Sequence, residues 1–109
     1  MILITGPLFA GKREYAQALG FDLESPAVVC EAQELVRSHE DLEALADKLA
    51  QKEVVICTEV GGGIVPIDKD ERIFRERAGR LSVLLAKRAE KVMRIWCGLP
   101  QILKEELPC

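Results

Sequence analysis

Immediately behind the apolar run Ile2-Leu3-Ile4 stands Gly6-Pro7-Leu8-Phe9-Ala10-Gly11-Lys12, two glycines separated by four residues with a lysine after the second. A chain that leaves an apolar strand through such a loop is set to start a helix with its main-chain N–H groups turned toward a phosphate, the lysine reaching for the terminal phosphates. Gly6, Ala10, Gly11, Lys12 and Arg13 are therefore the candidate phosphate contacts. Arg13 is the unusual member. Loops of this kind carry Ser or Thr after the lysine, and that hydroxyl ligates the Mg2+ bridging the β- and γ-phosphates. Main-chain donation from residues 10–13 does not depend on side-chain identity, so these N–H groups can still cradle phosphate while the hydroxyl ligand is lost. The guanidinium either sets a fixed positive charge where the metal would lie or turns outward along the helix.

Four short runs, Ile2 to Thr5, Ala27 to Cys30, Val54 to Cys57 and Val92 to Trp96, alternate with helical patterns. That alternation predicts βαβ units and so an α/β fold: a small P-loop domain with a mainly parallel sheet of about four strands and flanking helices. One helix is expected over 11–19, with Tyr15, Ala16 and Leu19 inward and Gly20 as its stop. A second is expected over 38–51, with Leu42, Leu45, Ala46 and Leu49 inward and Ser38 as its N-cap. The third and longest, over 70–89, carries Ile73, Phe74, Leu81, Leu84 and Leu85 on its apolar side. At 109 residues the chain reads as one domain, 1–109, with no room for a separate substrate domain.

The net charge of −3 gives no global basic field, which argues against nucleic acid as the principal partner. Met1 leads straight into a strand without a charged leader, and no apolar stretch is long enough for a membrane span, so the expected location is the cytoplasm. Cys30, Cys57, Cys97 and Cys109 lack CxxC spacing and read neither as a zinc site nor as a disulfide framework. Reduced thiols are expected, chiefly as small buried hydrophobes. His39, the single histidine, stands at the head of the second predicted helix and reads as a surface or capping residue.

Glu31 and Glu59 each closely follow an apolar strand, so both are expected at the sheet edge that carries the phosphate loop. There a carboxylate can orient a metal-bound water or take the proton of an attacking hydroxyl. Helix capping and plain exposure are the alternatives for each. Behind Glu59, Gly61-Gly62-Gly63 points to unusual dihedrals or the close approach of a ligand, with a merely flexible connection as the other reading. Arg80 either meets phosphate or is an ordinary solvated arginine on a charged helix.

The stretch from Val54 through Thr58-Glu59-Val60-Gly61-Gly62-Gly63-Ile64-Val65-Pro66, with Arg72-Ile73-Phe74-Arg75 and Ala78-Gly79-Arg80-Leu81 behind it, resembles the adenosylcobinamide kinase/adenosylcobinamide-phosphate guanylyltransferase family. The N-terminal loop, Ala27-Val28-Val29-Cys30-Glu31 and the ending Gly98-Leu99-Pro100 with Lys104 are similar too, so the likeness brackets almost the whole chain around a large internal deletion. The resemblance implies a RecA-like P-loop fold, a homo-oligomer of trimer form, and a place in cobalamin biosynthesis. It implies ATP or GTP as the nucleotide and a corrinoid, adenosylcobinamide, as the acceptor. It assigns Gly6, Gly11 and Lys12 to the phosphates, Glu31 to a metal or its water, and Glu59 to the head of the glycine loop. The departures are equally specific. The family's guanylylated histidine lies in a segment of which only Phe21 to Pro26 remains, Thr58 stands where Asn is usual, and Ser82-Val83 stand where Asn-Gln is usual. The resemblance therefore implies a shortened, divergent member that phosphorylates adenosylcobinamide at most, without guanylyl transfer. A non-catalytic nucleotide- or corrinoid-binding module of the same descent, and a small kinase for another alcohol, are the other readings.

Overall fold

The computed structural model describes residues 1–60 and 68–106. Its five-stranded sheet is built from β1 (Ile2–Gly6), β2 (Val28–Val29), β3 (Val54–Thr58), β4 (Lys91–Trp96) and β5 (Leu99–Glu105), in the order β2-β3-β1-β4-β5. The first four strands run parallel, and β5 returns antiparallel on β4. Three α-helices connect them, α1 (Lys12–Ala18), α2 (Leu42–Leu49) and α3 (Lys69–Arg88), with a 3-10 helix over Ala32–Arg37.

Alternation along the strands divides the core between two faces. Leu3, Val55, Cys57 and Val92 point to the side packed by α2, α3 and the 3-10 helix, where they meet Leu45, Leu49, Phe74, Leu81 and Leu85. Ile4, Val54, Ile56, Met93 and Ile95 point the other way, against Ala16 and the half-buried Tyr15, Phe21 and Leu23. All five residues of β3 are buried, as expected of a parallel strand covered on both faces. The α/β reading and the four parallel strands match the sequence expectation, and the sheet has one strand more.

That extra strand, β5, lies almost wholly exposed at the sheet edge and contains Pro100, a residue that edge strands accommodate. The helices are also trimmed. Leu19 and Ile73, expected inward, are 46% and 44% exposed. The second helix starts later than expected because residues 32–37 wind into the 3-10 helix and Ser38 closes that element, its Oγ donating to the Leu35 carbonyl at 3.4 Å. Asp41 is the true N-cap, accepting from the Ala44 N–H at 3.1 Å. Asp41→Ala should therefore lower stability by about 1 kcal/mol, whereas Ser38→Ala should stay within about 0.5 kcal/mol. Urea unfolding of the two variants checks the assignment, and equal losses would count against it.

Candidate functional site

The parallel strands end at one edge, and the glycine loop from Gly6 to Lys12, Glu31 and Glu59 all sit there. Gly6 closes β1 in register with Thr58, and its carbonyl accepts the Glu59 N–H at 2.8 Å. The loop is also tied to the turn between β4 and β5, where the Gly98 N–H donates to the Ala10 carbonyl at 2.8 Å. Leu8 and Phe9 form its outer tip, Phe9 with φ of 62° and almost fully exposed.

Lys12 runs back beneath this loop. It is only 6% exposed, and its Nζ donates to the Pro7 carbonyl at 2.7 Å. Burial lowers its pKa from the ordinary lysine value, while the charges of Glu31 and Glu59 pull in the opposite direction. Both carboxylates thus favour the charged form of the lysine. A buried ammonium with one donor committed to the loop has two left for a ligand.

Glu31 follows β2 and takes a left-handed conformation, φ 54° and ψ 45°, at the head of the 3-10 helix. An L-residue held there costs about 1–2 kcal/mol, offset here by a dense set of contacts. Gln33 Nε2 donates to Glu31 Oε2 at 2.5 Å, and Thr58 Oγ1 lies 3.2 and 3.3 Å from its two oxygens. Gln33 is itself buried and accepts the Thr58 N–H at 2.9 Å through Oε1. Arg13 completes the group, its Nη2 4.0 Å from Glu31 Oε1. A cavity of about 300 Å3 opens between the loop, Lys12, Arg13, Glu14 and Glu31.

On the α3 side of the loop lies a larger cleft of about 640 Å3, reached past Pro7 and lined by Glu59, Val83, Arg94, Trp96 and Leu103. Arg94 Nε donates to both oxygens of Glu59, at 2.9 and 3.1 Å, and the same guanidinium lies 4.8 Å from the centre of the Trp96 ring. Glu59 is thus held by Arg94 on the cleft side.

Every sequence-designated residue within the described part reaches this edge, namely Gly6, Ala10, Gly11, Lys12, Arg13, Glu31 and Glu59. The glycine run 61–63 lies outside the described residues. Arg80 is exposed on α3. His39 sits past the other end of the 3-10 helix from Glu31, with Nδ1 2.8 Å from the Leu35 carbonyl, so its contact is to the end of that element and not to the head of α2, which Asp41 caps. Cys30, Cys57 and Cys97 are free, half-buried, buried and exposed in turn, and burial raises the Cys57 thiol pKa. Cys109 lies outside the described residues.

Sequence reasoning missed Gln33 and Arg94. The signal for Arg94 was a lone cation within the apolar run Val92 to Trp96, two residues from each of its same-face neighbours. Gln33 gave no signal, since its burial depends on a 3-10 helix that no periodicity announced.

The Mg2+ of an ordinary Gly-Lys-Ser/Thr loop lacks one of its usual ligands here: Arg13 stands in place of the hydroxyl and brings its own positive charge beside Glu31.

Residues 25–103, well over half of the chain, match the model of the family described as cobinamide kinase/cobinamide phosphate guanyltransferase. The match includes Glu31, Glu59 and the start of β5, while the loop from Gly6 to Arg13 precedes it. No curated protein matches the chain.

Proposed function

The chain belongs to the cobinamide kinase/cobinamide phosphate guanyltransferase family, and from that membership we propose that it binds ATP or GTP and serves, at most, the kinase half of the family's pairing, with adenosylcobinamide as acceptor. The observation that carries this reading is Lys12, buried beneath the glycine loop and bonded to the Pro7 carbonyl at the sheet edge that also bears Glu31 and Glu59. Phosphoryl transfer asks mainly for positioning and charge stabilisation, which such an edge supplies.

In this reading Lys12 and the main-chain N–H groups of residues 11–13 hold the phosphates, since the Ala10 N–H donates to the Pro7 carbonyl at 3.3 Å within the loop. The body of the acceptor lies in the cleft beside Trp96 and Leu103, and its hydroxyl comes to Glu59. The acceptor oxygen forms a bond to the γ-phosphorus as the bond to the nucleoside diphosphate oxygen breaks, and the hydroxyl proton passes to the carboxylate. Arg94 keeps Glu59 in place at 2.9 Å. The homo-oligomer, in trimer form, remains part of the proposal. The exposed side chains of Leu99 and Ile102, outside the cleft lining, are surface available to a second copy.

Arg13 and its Glu31 contact favour a second reading, in which the protein binds nucleotide without turning it over. Calorimetric titration with ATP and GTP, followed in the same preparation by an assay for phosphorylated adenosylcobinamide, separates the two. Binding with product supports the kinase, binding without product supports the module, and no binding of either nucleotide defeats both. Guanylyl transfer should be missing. His39, the single histidine, lies past the far end of the 3-10 helix from Glu31 and the loop, so incubation with labelled GTP should leave no acid-labile protein adduct. Recovery of label on His39 would overturn this expectation.

A further inference from the structure

We propose that Arg13 takes the place of the divalent cation in this site, so that Lys12 and Arg13 together neutralise the nucleotide's phosphates and Glu31 is the resting counterion from which Arg13 departs. This inference rests on the reading of the loop as a nucleoside triphosphate site and goes beyond it by naming how the phosphate charge is met.

The pair is unequal in rigidity. Glu31 is fixed by Gln33 at 2.5 Å and by Thr58 at 3.2 and 3.3 Å, and Gln33 is fixed in turn by the Thr58 main chain at 2.9 Å. Arg13 holds on by a single 4.0 Å approach, beyond hydrogen-bond distance, with its side chain 55% exposed. An ion pair of that kind contributes little and is readily exchanged for a better partner. A phosphate is that partner, since the planar guanidinium offers it two parallel donors where a carboxylate 4.0 Å away receives none.

Charge arithmetic points the same way. The small cavity is lined by two cations, Lys12 and Arg13, and by two carboxylates, Glu31 and the exposed Glu14, so at rest it is balanced. Bringing in a triphosphate requires positive charge that the loop must find. A divalent ion is the usual source, but Arg13 occupies the ligand position and already stands beside Glu31. Moving the guanidinium from Glu31 to the phosphates satisfies the ligand and leaves the carboxylate on its Gln33 and Thr58 donors.

The roles of Arg13 and Glu31 therefore have opposite signs. In calorimetry with ATP, the wild-type protein should bind about equally well in EDTA and in Mg2+. Arg13→Ser should lose at least about tenfold in EDTA and recover most of it in Mg2+. Glu31→Gln, which frees Arg13 while keeping the Gln33 and Thr58 contacts possible, should tighten binding in EDTA by about threefold or more. A carboxylate that held a metal would give the reverse, weaker binding in Mg2+. Lys12→Ala should lose binding in both buffers, which marks the loop as the place of binding. A wild type that needs Mg2+ as strongly as Arg13→Ser, or a Glu31→Gln variant that binds more weakly, overturns the inference while leaving the triphosphate reading intact. A wild type that binds ATP in neither buffer overturns both.

Discussion

Lys12→Ala should cost the protein about 1.5–3 kcal/mol of affinity for ATP or GTP, roughly a ten- to hundredfold loss. The side chain is nearly inaccessible, and one of its three donors is spent on the Pro7 carbonyl, so its ammonium is already oriented before any ligand arrives. The loss should appear in binding and hardly in folding. Burial lowers the Lys12 pKa, which means that the charged form is held at some expense to the free protein. The unfolded chain therefore binds more protons than the folded one in the window between the folded pKa and 10.5, and stability from this group rises with pH across that window. The deletion removes that strain along with the Pro7 bond. Lys12→Met, which keeps most of the volume, should bind nucleotide as poorly as Lys12→Ala and unfold at the same denaturant concentration as the wild type or slightly above it. Unchanged calorimetric affinity in either variant would mean that the phosphates are held elsewhere.

The elements legible in the sequence were those set by local pattern. The four apolar runs became the four parallel strands, because each is buried from at least one face and its register is held by that burial. The convergence of Lys12, Glu31 and Glu59 was legible for the same reason: residues that leave parallel strands at their carboxyl ends share an edge. What escaped were features decided by distant partners. β5 has no buried stripe, interrupts itself with Pro100, and is a strand only because the exposed side of β4 offers it a ladder from Lys91 to Trp96. The 3-10 helix carries Val36 and Ala32 into the core at a spacing too short to show a period, and with it goes Gln33, the group that fixes Glu31. Arg94 escaped because its partner, Glu59, lies 35 residues away in sequence on a neighbouring part of the edge.

Gly6→Ala should lower stability by about 3 kcal/mol or more, a larger loss than any surface or capping substitution here. A Cβ at position 6 would lie 2.4 Å from the Ile95 carbonyl oxygen and 3.4 Å from the Ile95 carbonyl carbon and nitrogen, and the residue has φ of +154°. The obstacle is backbone, so no side chain can rotate away. Relief requires β1 to move off β4, against the pairing that runs from Ile2 with Lys91 to Thr5 with Arg94. It also drags the candidate site, because the Gly6 carbonyl anchors the Glu59 N–H at 2.8 Å and the glycine loop continues from the next residue. Gly20→Ala is the matched control. Gly20 also has a positive φ, +98°, yet nothing lies within 4 Å of its would-be Cβ, so its variant bears only the dihedral strain of about 1–2 kcal/mol. The difference between the two variants in urea unfolding isolates the contact between the loop's first glycine and β4. Should the two lose equally, the loop is not backed by Ile95, and the close packing that sets Lys12 and Glu59 on one edge would have to be abandoned.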